Sequence, residues 1–188
     1  MAKLPTFADL RRNFPYKKVA EAAPGALVKS NKELVQYIGG QLEKRLSAIY
    51  PDLDLMNSCA IRLSYCLNLS GFPIKHHAGV RTIMGGDNKL YTISADEMIA
   101  YMKAKFGPGK KIWDGRKQLN QRWLNAVKLP TQGMIAYDWQ GRIADFGATG
   151  HVDIGKLTGT ATDPRISEIG TNSYFKEGAM IVHIWETT

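Results

Sequence analysis

The stretch MNSCAIRLSYCLNLSG, residues 56–71, places Cys59 directly after Asn57 and Ser58 and then runs into an apolar segment that ends at Ser70-Gly71. Asn and Ser cap helices, and Gly71 followed by Phe72-Pro73 stops one, so the spacing predicts a helix whose first turn holds Cys59. A thiol there faces the positive end of the helix dipole and backbone N–H groups with no partner inside the helix. Thiols so placed ionise more readily and become better nucleophiles. The same N–H groups can hydrogen-bond the oxyanion that forms when a carbonyl is attacked. Cys66, one turn beyond Leu63 and next to Leu67, reads instead as a small buried apolar residue. Two cysteines seven positions apart on one helix stand roughly 10 Å apart along its axis, too far to bridge. Both are expected as free thiols.

Outward from this segment, the N-terminal half reads as helices. A short one is expected at Phe7 to Arg12. SNKELVQYIGGQLEKRLSAIY (30–50) opens with a capping box, Ser30 and Glu33, and carries Leu34, Ile38, Leu42, Leu46 and Ile49 at helical spacing. Gly39 and Gly40 inside it weaken a helix, which implies another element packed close against them. A further helix is expected from a second capping box at Ser94 and Glu97 to Phe106, and another from Asp114 to Lys128. After Pro130 the texture changes to GMIAYDW (133–139), RIADFG (142–147), GHVDIGKL (150–157) and GAMIVHIWE (178–186), β-branched and aromatic runs separated by glycines. Helices first and strands after them argue for an α+β fold, N-terminal helices packed on a C-terminal antiparallel sheet. The length of 188 residues suits one domain, 1–188, with residues 1–29 as an extension packed on it.

Composition excludes several classes. A chain 44% hydrophobic and 22% charged is an ordinary globular protein rather than a disordered one. No apolar run reaches a membrane span, and the start, MAKLPT, lacks the apolar core of a secretory signal. The formal net charge of +8 is concentrated between Lys103 and Lys128, where Asp114 is the only acid. Such a stretch serves as a solvated face, or it attracts an anionic polymer such as nucleic acid, a membrane surface or the carboxylate-rich bacterial wall.

A cysteine nucleophile needs a base, and the base needs a third group to orient it. His76 and His77 follow Lys75 in an expected turn with no acid or cysteine beside them, so they make a poor metal site. His183 lies in the last strand, whose position alone gives it no role. His151 follows a glycine, which is expected to leave space beside it, at the start of HVDIG, where a strand would hold its ring rigidly. Cysteine at a helix start and histidine on a strand far downstream is the order of papain-like enzymes. The orienting group is either Asp153, on the same strand face but about 7 Å along the chain, or Asp163, which Pro164 biases toward an extended conformation beside that strand. Asp163 is preferred. Asp153 then faces the substrate or supports the site from behind.

NSCAIRLSYCLNLSGFPI (57–74), GMIAYDW, GHVDIG and the closing YFKEGAMIVHIWE (174–186) together resemble the type VI secretion amidase effectors of family 4 over about residues 55 to 188. The resemblance implies a papain-like (NlpC-class) cysteine amidase of peptidoglycan that hydrolyses the D-glutamyl–meso-diaminopimelate amide of the stem peptide. It implies a Cys-His-Asp triad at Cys59, His151 and Asp163, with no metal or cofactor. It also implies a protein made without a signal peptide, carried by the secretion machinery into a target's periplasm, and neutralised there by an immunity protein. The family braces the loop of the triad aspartate with a disulfide, whereas this chain has no cysteine near Asp163. Asn57, Ser58 and Arg62 flank the nucleophile. Arg62 either meets a substrate carboxylate or makes a structural ion pair. The competing functions are a basic nucleic-acid-binding module using the 103–128 stretch with Trp113 and Trp123, and a papain-like hydrolase of another amide or isopeptide.

Overall fold

Caps and glycines set the bounds of several helices of the N-terminal half. A computed structural model describes residues 3–16, 28–117, 128–139, 150–159, 164–168 and 181–188. Helix α1 spans Phe7–Arg12, capped by the Thr6 hydroxyl. Helix α2, Asn31–Ile38, has the full capping box: the Ser30 hydroxyl accepts from Glu33 N at 3.2 Å, and the Glu33 carboxylate accepts from Ser30 N at 2.6 Å.

The long helix expected over residues 31–49 is two helices. Gly39 turns to φ 67°, ψ −159°, and α3, Gly40–Ile49, restarts in a new direction. The cause is the close approach anticipated at these glycines. A Cβ on Gly40 would stand 2.4 Å from Gly86 N, and Gly86 N–H donates to Ile38 O at 3.0 Å. A 3₁₀ turn at Leu53–Leu55 leads into α4, Cys59–Leu69.

Of the eleven residues of α4, nine are buried, so this is the central helix and is covered nearly all round. Its Leu63 and Leu67 join Phe7, Leu10 and Phe14 of the N-terminal segment in the main core, together with Met98, Ile99 and Met102 of α5, Ala95–Phe106. Ile61 faces a second core with Leu34, Ile38, Leu42 and Leu46. Two buried polar groups fasten α4 to the hairpin formed by β1, Thr82–Met84, and β2, Leu90–Thr92. Asn68 Nδ2 donates to Leu90 O at 2.9 Å, and Ser64 Oγ lies 3.0 Å from Thr92 Oγ1.

The sheet contains β3, Lys110–Asp114, β4, Thr131–Asp138, β5, Gly150–Gly159, β6, Pro164–Glu168, and β7, Ile181–Glu186, in the order β3-β7-β4-β5-β6. Every neighbouring pair is antiparallel. Met134, Ala136, Val152, Ile154 and Trp185 belong to the core shared with α4 and α5, while Ile112, Ile135, Tyr137, Leu157, Val182 and Ile184 form a third cluster. This is the α+β arrangement of helices on an antiparallel sheet.

Two local expectations are corrected. Asp114 ends a strand instead of opening a helix: residues 110–114 pair with β7, residues 115–117 form a turn, and residues 118–127 of that expected helix, Trp123 included, lie outside the described residues. The hairpin at 82–92, whose strands are only three residues each, was not anticipated. Ser94 does not cap α5 with its side chain, because its hydroxyl bonds the Asp96 carboxylate. RIADFG and Asp163 also lie outside the described residues.

Candidate active site

Cys59 is the first residue of α4, and His151 is the second residue of β5. The fold brings them close enough for the two side chains to interact, although 91 residues separate them in the chain. Both are sheltered, Cys59 at 6% exposure and His151 at 2%. The shelter arises from the strand. β5 is buried on both faces from Gly150 to Gly155, and its register places His151 opposite Tyr137, whose ring centroid lies 5.7 Å away. Gly150 fits this packing because a Cβ there would meet Tyr137 O at 3.1 Å and Ile99 Cδ1 at 3.3 Å. The glycine before the histidine is used for close packing and leaves no open space.

Burial opposes a charge on the imidazole, but the Asp153 carboxylate and the Cys59 thiol beside it outweigh burial and hold the His151 pKa up at about 10. Asp153, itself 4% exposed, approaches His151 Nε2 to 3.9 Å through Oδ2. That is an ion-pair distance and too long for a hydrogen bond, so Asp153 favours the charged ring without fixing its tilt. Its other oxygen accepts from Ile154 N at 2.7 Å. Cys66, fully buried in α4, is pushed well up by burial and remains a protonated thiol. Both cysteines are free.

The residues flanking Cys59 have defined places. Asn57 is exposed, and its Oδ1 accepts from Cys59 N at 3.4 Å. Ser58 occupies the N-cap position of α4, but its hydroxyl accepts no backbone N–H of the helix. Arg62, at 8% exposure, donates through Nε to Ser58 Oγ at 2.9 Å and through Nη2 to Lys29 O at 2.7 Å and Asn31 Oδ1 at 2.9 Å. All three acceptors are neutral. Sequence patterns gave no hint of Asn31 or Tyr137 at the site. Asn31 follows a capping serine in a helix remote along the chain, and Tyr137 is revealed only by strand register.

The other histidines stand apart. His76 Nδ1 lies 3.1 Å from Thr82 Oγ1 at the surface. His183, on β7 opposite Ala136 and Lys111, is driven down to a pKa of about 4 by burial and by Lys103, so it is neutral at pH 7. Much of the basic stretch is paired. Lys103 Nζ meets Asp138 at 3.0 Å, Lys110 bonds Glu186, and Arg116 grips Asp114 through two bonds of 2.8 Å.

The family described as Type VI secretion system (T6SS), amidase effector protein 4 (Tae4) matches residues 55–183. Among solved structures, the Tae4–Tai4 effector–immunity complex from Salmonella Typhimurium superposes with a TM-score of 0.65 at 23% identity, covering 99% of this chain and 100% of the other. The corresponding Enterobacter cloacae complex gives 0.65 at 20% identity with the same coverage. The Enterobacter cloacae effector Tae4 gives 0.62 at 20% identity, covering 100% of this chain and 99% of the other. These likenesses show the fold. No curated protein sequence matches the chain at a significant level.

Proposed function

From a chain that belongs to the type VI secretion amidase effector family 4, we propose that Cys59 is the nucleophile and His151 the proton carrier of its peptidoglycan amidase reaction. The observation that carries this is the meeting of a helix-start thiol and a buried imidazole that favours its charged form. At rest His151 is charged and already holds the proton of the Cys59 thiol, and the sulfur, as thiolate, attacks the amide carbonyl carbon. The oxyanion is held by the Cys59 backbone N–H and the end of the helix dipole. The tetrahedral adduct collapses as His151 passes its proton to the leaving amine, giving a thioester that water hydrolyses. Asp153 supports the imidazolium by charge, and Asp163 supplies the hydrogen-bond acceptor that orients the ring.

The substrate bond is the D-glutamyl–meso-diaminopimelate amide of the stem peptide. Delivery is by the type VI machinery into the periplasm of a target cell, and the cognate partner is a periplasmic immunity protein. The solved effectors of this fold, bound to Tai4, support that partner. Digestion of purified sacculi followed by mass analysis tests the bond. New fragments ending in D-glutamate, with the diaminopimelate amine freed, are expected. Cleavage at a different bond would overturn the assignment.

A further inference from the structure

Two helices of this protein begin in the ordinary way. Thr6 and Ser30 are extended, with ψ of 152° and 169°, and each side chain accepts from an N–H of the first turn. Ser58, in the same position before α4, has φ −105° and ψ 4° and makes no such bond. That backbone region is sparsely populated and recurs at active sites.

The Ser58 hydroxyl is drawn away by two residues. It donates to Asn31 Oδ1 and accepts from Arg62 Nε at 2.9 Å. Arg62 Nη2 also donates to Asn31 Oδ1. The Asn31 amide nitrogen donates to Asp54 O at 3.1 Å and Met56 O at 2.6 Å. Asn31 thereby uses both donors and both acceptor sites of its amide, on residues 54, 56, 58 and 62 around the nucleophile. Among the described residues, Arg62 is a desolvated cation bonded only to neutral oxygens, and its Nη1 has no hydrogen-bond partner. Burial lowers its pKa, and Asp153 and Cys59 are the foremost groups holding it up. A buried charge so held costs stability. Here that cost falls at the turn carrying the sulfur.

We propose that Arg62 and Asn31 are positioning residues for the amidase reaction: by holding the Ser58 hydroxyl they prevent it from capping α4, which leaves the N–H groups of residues 59–61 open to the oxyanion. The inference rests on Cys59 being the nucleophile. The Asn57 side chain, exposed and 3.4 Å from Cys59 N, can swing away when substrate arrives. Released from the clamp, Ser58 would relax to the extended conformation of Thr6 and Ser30 and take the N–H of residue 60 or 61.

The test is a rescue measured on soluble stem peptides. Arg62→Met should lower kcat by about tenfold with KM held within about twofold, since an oxyanion donor acts in the transition state. Adding Ser58→Ala to Arg62→Met removes the competing cap and should recover at least about threefold of kcat. A merely structural clamp predicts the opposite, a double variant as slow as the single one or slower, and that result would overturn the proposal. So would an Arg62→Met enzyme with unchanged kcat. If Arg62→Met fails to fold by circular dichroism, Asn31→Ala with and without Ser58→Ala makes the same comparison. Cys59→Ala separates the premise from the inference: activity in that variant would remove the nucleophile, whereas an inactive Cys59→Ala beside an unrescued Arg62→Met would refute the clamp alone.

Discussion

At the scale of single residues, the central fact is an imidazole held charged. Its folded-state pKa of about 10 lies above the ordinary imidazole value, so the proton bound by the folded protein adds stability in full below about pH 6.5. That contribution is lost as pH rises through about 10. The melting temperature should therefore fall across pH 7–10 in the wild type and fall less in His151→Gln; equal slopes in the two proteins would contradict the assignment. Activity should lose its alkaline limb near the same pH, because the leaving amine needs the His151 proton. Asp153→Asn removes the charge that supports the imidazolium and should move that limb to lower pH with a moderate loss of rate. Asp163→Asn should instead reduce kcat by about 10²-fold or more, as loss of an orienting carboxylate does. A larger loss in Asp153→Asn would exchange their roles. The places of Cys59 at a helix start and His151 on a strand were legible in sequence, because each is marked by its immediate neighbours. Asn31 was not, since nothing around it marks a bond to residues 54–62.

At the scale of elements, the legible parts were those governed by local chemistry. The Ser30 capping box, the Gly71-Phe72-Pro73 stop and the strand in GMIAYDW all formed as expected. The break between α2 and α3 was half visible. Two glycines signalled a close neighbour, but the neighbour, Gly86, is fixed only by tertiary packing. β3 has no strand pattern of its own, being a lysine-rich run after a helix, and its strand character comes from pairing with β7. Gly40→Ala tests the bend. With φ 70° and a Cβ 2.4 Å from the Gly86 backbone nitrogen, it should cost about 2 kcal/mol or more, seen as a lowered urea midpoint with unchanged m. An unchanged midpoint would show that the bend is not held by this contact.

At the scale of the molecule, the proposed nucleophile comes from the helical half and the proposed base from the sheet, so neither half would contain the site alone. The net charge of +8 acts on the whole particle even though Lys103, Lys110, Lys111 and Arg116 have acidic partners. Sacculus binding by Cys59→Ala should weaken severalfold between about 20 and 300 mM salt, as screening shortens the field, while cleavage of soluble stem peptides by the wild type should change little. Binding indifferent to salt would leave the charge without this role. The most direct test of the whole account is the rate at which folded Cys59→Ala releases stem peptides from purified sacculi. The account predicts release indistinguishable from buffer alone. Release at a rate approaching that of the wild type would contradict it.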